Sequence, residues 1–216
     1  MIWDDQTYRD GVDIQSAEFF ARLKTAKTMA TTSQVSVADM HSIFQGLVEK
    51  EYEVLGIFIS SKLSWTIQSA MQAKELMGNT GEKVTVLDSN ATAMAMGFQI
   101  LSVARASQEG ANLNDCIALA EKAREHTGVF FAVDTLEFLH RGGRIGGAQR
   151  FLGTLLNIKP ILALQDGKVE GLERIHTKTK AHDRILELIV ENIRGKTPVR
   201  LGTLHANAPE DAKKTP

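Results

Sequence analysis

Two neighbouring stretches of the chain decide its fold: Asp134-Thr-Leu-Glu-Phe-Leu-His140-Arg-Gly-Gly-Arg144-Ile-Gly-Gly147 and Pro160-Ile-Leu-Ala-Leu-Gln-Asp166-Gly167-Lys-Val-Glu170. The first stretch places four glycines around Arg144. Gly142 and Gly143 allow a positive φ and a close approach of the backbone to a ligand, and an arginine offers a planar fork of donors to a carboxylate or phosphate. The second stretch predicts a β-hairpin on an Asp-Gly turn. The sequence therefore predicts an anion site beside an antiparallel segment.

Upstream of these stretches, strand and helix signals alternate from residue 36 onward, which predicts a parallel α/β layer. Ser36-Val-Ala-Asp39 resembles a capping box, so a helix is predicted to start there. The remaining elements follow from short apolar runs and helical spacing: strands over 53–59, 83–89, 129–133 and 198–204, and helices that close near residues 78, 110, 128 and 194. The change from alternation to a hairpin indicates a second domain.

The composition excludes several classes of partner. The 216 residues carry 25 Lys+Arg against 26 Asp+Glu, so no net field attracts nucleic acid or an anionic membrane. The single cysteine, Cys116, excludes an internal disulfide and a cysteine-based zinc site and is predicted to fill the core. No run approaches the roughly 20 apolar residues that cross a bilayer. These features predict a soluble, cytoplasmic protein without stable membrane insertion.

Hydroxyl side chains cluster at two predicted helix starts. The run Thr31-Thr-Ser-Gln-Val-Ser36 precedes a helix, where backbone N–H groups and the helix dipole favour an anion, although simple capping explains the same residues. Ser64 follows a predicted parallel strand, at the edge where open α/β sheets bind ligands, and N-capping is again the alternative. For Arg144 the alternative is an ordinary surface salt bridge.

Catalytic and metal-binding patterns are weak in this sequence. None of the six histidines forms a pair at metal-ligand spacing within a carboxylate cluster, so no metal site is predicted. Asp88-Ser89 has no histidine placed by motif to serve it, and Gly-x-Ser-x-Gly is absent, which disfavours a serine hydrolase. Seven apolar residues of two helices are predicted to lie mostly in the core, with an acyl-chain cavity as the alternative: Met71, Met77, Met94, Met96, Phe98, Ile100 and Leu101.

Taken as a set, these motifs resemble the DegV family of bacterial fatty-acid-binding proteins. The stretch from Asp134, with the run Leu155-Leu-Asn-Ile-Lys-Pro-Ile-Leu162 and the Asp166-Gly-Lys-Val169 turn, matches the family residue by residue. Thr32-Ser-Gln-Val-Ser36 is similar to the family's Thr-Ser-Gln-Pro-Ser. Ser60-Ser-Lys-Leu-Ser-Trp-Thr66 is similar to its Ser-Ser-x-x-Ser-Gly-Thr.

The resemblance implies a two-domain α/β fold: a mostly parallel sheet flanked by helices, and a second α/β domain that contains the antiparallel hairpin. The first domain would span residues 1–127 and the second residues 128–216. The family's opening strand and its closing segment, which carries a histidine of the head-group network, would lie before Met1 and after Pro216. The sequence is therefore expected to be a fragment or a member trimmed at both ends.

The resemblance also implies the site. Thr32, Ser64 and Arg144 would bind the carboxylate of the fatty acid. The pocket neighbours would be Ser33, Ser61, Trp65 and Gly143. Trp65 occupies the usual glycine position, where its indole would either narrow the pocket or point away from it.

The function implied is that of a carrier without catalytic residues or cofactors. A long-chain fatty acid would lie in an apolar tunnel, and its carboxylate would be presented to an ATP-binding kinase subunit that forms acyl phosphate for phospholipid metabolism. A small-molecule anion-binding transferase or kinase-like enzyme is the alternative, resting on the anion site alone. An interaction module without a ligand is a third possibility, which native mass spectrometry would distinguish.

Overall fold

A computed structural model of the protein describes residues 1–153 and 158–213. Residues 154–157 of the family motif lie outside the described residues. The helices are α1 (Ser16–Leu23), α2 (Val37–Val48), α3 (Thr66–Leu76), α4 (Ala93–Gln108), α5 (Leu113–Glu125), α6 (Glu137–Arg141), α7 (Lys178–Ile193) and α8 (Pro209–Ala212). The strands are β1 (Ile2–Trp3), β2 (Gln6–Thr7), β3 (Val54–Phe58), β4 (Val84–Asp88), β5 (Phe130–Ala132), β6 (Lys159–Gln165) and β7 (Lys168–Ile175).

The chain divides into two compact units. The smaller unit comprises Met1–Ser33 and the segment that begins at Leu201. Its β1 and β2 pair antiparallel, and the side chain of Trp3 is buried against the edge of the Phe19 ring. The Arg22 guanidinium lies 4.4 Å from the centroid of the Trp3 ring, so both a cation and a second aromatic ring contact this buried indole.

The larger unit, Gln34–Arg200, contains a parallel sheet covered on both faces. β3 and β4 run parallel, in register from Val54 opposite Val84 to Phe58 opposite Asp88. Side chains alternate along β3. Val54 and Phe58 pack on α2 and α3, whereas Leu55 and Ile57 pack on the opposite face with residues of α4 and α5. Cys116 is buried in that second layer, which confirms the sequence prediction.

The same unit contains an antiparallel sheet in the order β5-β6-β7, against which α7 packs. Asp166 and Gly167 form the two-residue turn between β6 and β7, with φ values of 48° and 75°. Two positive φ values define the turn type that matches the twist of paired strands, so the predicted hairpin is confirmed. The core of this region comprises Leu136, Ile145, Ala148, Phe151, Leu162 and Val169.

Two structural predictions are wrong. The segment 198–204 forms no strand, because none of the described strands pairs with it, and Leu201 and Leu204 are exposed. Four of the seven apolar residues assigned mostly to the core are exposed: Met71, Met94, Ile100 and Leu101. The residues that α3 and α4 bury are mostly smaller, among them Ala70, Ala73 and Ala95. Of the seven predicted core residues, only Met77 is buried.

Candidate functional site

The carboxylate of Asp88 links the loops at the carboxyl ends of β3 and β4. Asp88 accepts a hydrogen bond from the Ser61 amide at 3.1 Å and another from the Asn90 amide at 2.8 Å. The loops that follow the two strands are therefore held side by side. In open α/β sheets this edge is where ligands bind.

Ser64 lies in the loop after β3 and is half-buried. Its Oγ accepts a hydrogen bond of 3.2 Å from the Thr66 amide and lies 2.9 Å from the Thr66 Oγ1. The serine therefore binds a free N–H at the first position of α3. It lies one residue before the N-cap, which is Trp65, so the N-cap alternative for Ser64 is wrong. The Trp65 side chain is 69% exposed, so its indole projects into solvent. Ser61 is exposed as well.

Arg144 reaches the same loop from the turn after α6. Its Nε donates a hydrogen bond of 3.0 Å to the Leu63 carbonyl, and its Nη1 donates one of 2.5 Å to the Gly142 carbonyl. The Leu63 carbonyl and the Ser64 amide belong to one peptide group, so the guanidinium lies next to Ser64. The salt-bridge alternative is wrong, because none of the described carboxylates pairs with this exposed arginine, and its Nη2 stays available to a ligand.

The two glycines before Arg144 have different conformations. Gly143 has a φ of +73°, whereas Gly142 has a φ of −76°, so only the second glycine adopts the positive φ that both residues allow. The Arg144 amide bonds back to the Leu139 carbonyl at 2.9 Å, the pattern of a Schellman motif with Gly143 in the left-handed position. Apart from the two chain neighbours of Gly143, none of the described residues has an atom within 4 Å of a Cβ placed on it, so this glycine serves the helix end and not a close backbone approach.

Thr32 and Ser33 belong to the smaller unit, whereas Ser64 and Arg144 belong to the larger one. Both Thr32 and Ser33 are exposed. Capping does not explain them, because the cap of α2 is Ser36, whose Oγ accepts from the Asp39 amide at 3.0 Å. Thr32 and Ser33 thus remain candidate ligand-binding hydroxyls, and the larger unit brings together Ser64 and Arg144.

A cavity of about 610 Å³ lies elsewhere, between β3, α4 and α5. Its apolar lining includes Leu55, Ile57, Ile100, Val103 and Cys116, and its lining includes none of the predicted site residues. The residues that follow β3 and β4 do not line this cavity, so it is separate from the candidate site. Among the described residues no group of three or more His, Cys, Asp or Glu side chains is arranged to hold a metal ion. Within the same residues, no helix combines the length and apolarity that a membrane span requires.

Sequence reasoning missed two residues at this edge of the sheet. Ser60 is fully buried directly after β3, and its Oγ donates to the Gly167 carbonyl at 2.8 Å. The sequence did contain a signal for each residue: Ser60 follows an apolar strand run, and Gly167 lies in a predicted two-residue turn. The contact joins residues 107 positions apart, so their pairing could not be read from spacing.

A family model described as "Uncharacterised protein, DegV family" matches residues 1–215. The chain belongs to the DegV family. A DegV domain-containing protein of Halalkalibacterium halodurans is 34% identical over 215 residues, which cover 99% of this chain and 75% of the relative.

Solved structures of DegV proteins share the fold. A DegV family protein from Thermus thermophilus, described by its fatty acid binding, is 38% identical with a TM-score of 0.82; the match covers 89% of this chain and 68% of that one. DegV from Bacillus subtilis, described as a fatty acid binding protein, is 32% identical with a TM-score of 0.84, over 99% and 75% of the two chains. The predicted α/β DegV fold is therefore confirmed.

Proposed function

We propose that this chain binds a long-chain fatty acid and holds its carboxylate with Thr32, Ser64 and Arg144. The observation that carries the proposal is the hydrogen bond from Arg144 to the Leu63 carbonyl, which sets a guanidinium with an available Nη2 beside Ser64. The DegV proteins of Thermus thermophilus and Bacillus subtilis, which bind fatty acids, support the choice of ligand. Both are more than 30% identical to this chain.

The physical chemistry of a fatty acid divides its binding into two parts. Burying about 14 methylenes at roughly 0.8 kcal/mol each supplies on the order of 11 kcal/mol before the costs of ordering. The head group adds less energy but fixes orientation, because hydroxyl and guanidinium donors are directional. Ser64 and Arg144 would therefore decide where the carboxylate points, while the tail decides most of the affinity.

The partner in this proposal is an ATP-binding kinase subunit, and both proteins would work in the cytoplasm. The carrier presents the carboxylate, and the kinase transfers a phosphoryl group to it to form acyl phosphate for phospholipid metabolism. The chain itself would perform no bond chemistry.

Native mass spectrometry of the purified chain tests the ligand, and a coupled assay tests the partner. We expect a long-chain acid to co-purify, and acyl phosphate to form only when carrier, kinase subunit, ATP and fatty acid are combined. A bound polar metabolite would instead support an anion-binding transferase or kinase-like enzyme. Absence of any ligand, together with no saturable binding of a fluorescent fatty acid, would overturn the proposal.

A further inference from the structure

A buried hydrogen bond connects the two sheets of the larger unit at the site. Ser60, which follows β3 of the parallel sheet, is 0% exposed. Its Oγ donates to the carbonyl of Gly167, the second residue of the turn between β6 and β7 of the antiparallel sheet, at 2.8 Å. The hairpin turn therefore contacts the loop that leads to Ser64.

The loop from Ser61 to Ser64 is folded around Ser60. The Ser60 Oγ accepts from the Lys62 amide at 3.2 Å, and its carbonyl accepts from the Leu63 amide at 2.9 Å and the Ser64 amide at 3.0 Å. Three successive amides thus converge on one residue. The Ser60 amide in turn donates to the Ala91 carbonyl at 2.9 Å, which anchors it to the loop after β4.

The turn approaches so closely that only glycine fits there. Gly167 has a φ of +75°, and a Cβ on it would lie 2.3 Å from the Ser60 Oγ and 3.3 Å from the Asn90 Oδ1. A contact of 2.3 Å is far inside the normal separation of two heavy atoms, so the glycine permits the hydrogen bond. Because Ser60 is fully buried, its hydroxyl cannot exchange this partner for water without local opening.

We infer that Ser60 is a positioning residue for the head-group site. Its hydroxyl connects the Lys62 amide with the hairpin turn, and its carbonyl receives the Leu63 and Ser64 amides. Ser64 carries the hydroxyl of the site, and the Leu63 carbonyl orients Arg144. The geometry offered to a carboxylate would then be set by the docking of the antiparallel sheet onto the parallel one. The identity of the ligand in this inference rests on the proposed function. The claim that Ser60 positions the loop does not depend on it.

The test compares Ser60→Ala with Ser89→Ala. Ser89 is a control because it also follows a parallel strand and is 2% exposed, while the described hydrogen bonds of its hydroxyl reach the carbonyl and amide of Ala91 and not the hairpin turn. The backbone hydrogen bond from the Ser60 amide to the Ala91 carbonyl is retained in the Ser89 variant. Two quantities are measured in each variant: amide hydrogen exchange of peptides covering 61–66 and 142–145, and the ratio of affinities for palmitic acid and the corresponding alcohol. The alcohol has the same tail without the carboxylate.

We expect Ser60→Ala to accelerate exchange in both peptides and to reduce the acid-to-alcohol affinity ratio roughly tenfold, with alcohol affinity unchanged. Ser89→Ala should leave the exchange rates and the affinity ratio near those of the parent chain. This difference should hold even if Ser89→Ala lowers the melting temperature as much as Ser60→Ala does. If Ser60→Ala does not fold, Ser60→Cys replaces it, since a thiol is only a weak donor.

The inference is overturned if exchange and affinity ratio are unchanged in the Ser60 variant, or if the Ser89 variant alters both equally. If the parent chain binds neither palmitic acid nor the alcohol, the proposed function fails. The exchange comparison then decides by itself whether Ser60 holds the loop and the turn that carries Arg144.

Discussion

The Nε atom of Arg144 lies 3.0 Å from the carbonyl oxygen of Leu63, to which it donates a hydrogen bond across 81 residues of sequence. This contact connects the turn after α6 with the loop after β3. Because a second donor, Nη1, bonds to the Gly142 carbonyl, the plane of the guanidinium is fixed from two sides. Arginine can satisfy both carbonyls and still offer Nη2 to a ligand, whereas the single ammonium of lysine lacks this planar fork.

Replacing Arg144 with alanine should weaken fatty-acid binding without preventing folding. A hydrogen bond to a charged group contributes about 1.5–3 kcal/mol, and the exposure of this side chain favours the lower end, or roughly tenfold in affinity. Arg144→Lys should restore only part of the loss, because it cannot reproduce the fork. Titration with a fluorescent fatty acid measures the effect.

The control for this substitution is Arg141→Ala. Arg141 lies three residues away on an exposed helix end and forms an ion pair of 3.0 Å with Glu137 in the same helix. Removing it changes the charge by the same amount, but we expect no more than a twofold change in binding. If both variants lost affinity equally, Arg144 would act through general charge and not through its geometry.

Replacing Ser64 with alanine should lower acyl-phosphate formation by the kinase subunit more than it lowers fatty-acid binding. Most of the binding energy comes from the apolar tail, whereas the hydroxyl orients the head group for transfer. Thr32→Val should have the same effect. Rates of acyl-phosphate formation are compared at saturating fatty acid, alongside dissociation constants for each variant.

Ser61→Ala provides the comparison for Ser64, because Ser61 lies in the same loop and uses its backbone amide, not its hydroxyl, to bond Asp88. Loss of the Ser64 hydroxyl also removes the hydrogen bond from the Thr66 amide, at a cost of about 0.5–1.5 kcal/mol in stability. Assays below the melting transition separate the two effects. Parallel losses of binding and phosphoryl transfer in Ser64→Ala would contradict an orienting role.

Much of the fold could be predicted because it follows from local patterns. The capping residue Ser36, the apolar runs of β3 and β4, and the Asp166-Gly167 turn each encode a structure within a few neighbouring residues. The strand predicted over 198–204 failed because a strand also requires a partner, and pairing is a long-range property that an apolar run does not specify. Exposure of Met71 and Met94 likewise depends on which helix face the sheet covers.

The sequence predicted which residues belong to the candidate site but not which atoms they contact. The neighbouring glycines marked Arg144 as a candidate in the sequence. Its hydrogen-bond partner is the backbone carbonyl of Leu63, and any residue type could supply such a carbonyl. The proximity of Ser60 to Gly167 depends on how the two sheets dock. Both Gly142 and Gly143 allow a positive φ, but the end of α6 requires only one left-handed residue, and the sequence does not indicate which glycine adopts it.

The ion pairs of Asp134 predict a pH dependence of stability. Hydrogen bonds from Lys178 and then Lys159 lower the pKa of this carboxyl below its ordinary value of 3.8. Because the folded-state pKa is the lower one, the stabilisation is present above about pH 4 and is lost as the pH falls through the folded-state value. The effect should be small, since the Asp134 side chain is 58% exposed.

Melting temperatures of the parent chain and Asp134→Asn, compared at pH 7 and at pH 3, test this expectation. The parent chain should melt higher at pH 7, and the difference should shrink at pH 3. It should also shrink in 1 M salt, because exposed pairs are screened. An equal difference at both pH values would exclude Asp134 ionisation as its cause.

Two glycines near Arg144 should differ sharply in their tolerance of alanine. Gly143 has a φ of +73°, and beyond its chain neighbours no described atom lies within 4 Å of an added Cβ, so Gly143→Ala incurs only the conformational penalty of the left-handed region. Gly146 has a φ of +49°, and its Cβ would lie 2.3 Å from the Val169 carbonyl oxygen. That atom belongs to the backbone of β7, which cannot move aside as a flexible side chain would.

We therefore expect Gly143→Ala to cost about 1 kcal/mol of unfolding free energy, and Gly146→Ala about 2–4 kcal/mol, because overpacking adds to the same conformational penalty. Urea denaturation of the two variants gives both values under one condition. Equal losses would mean that the segment from Gly146 can shift away from β7. Ile145, Ala148 and Phe151 of the neighbouring core would then be less rigidly held than their burial indicates.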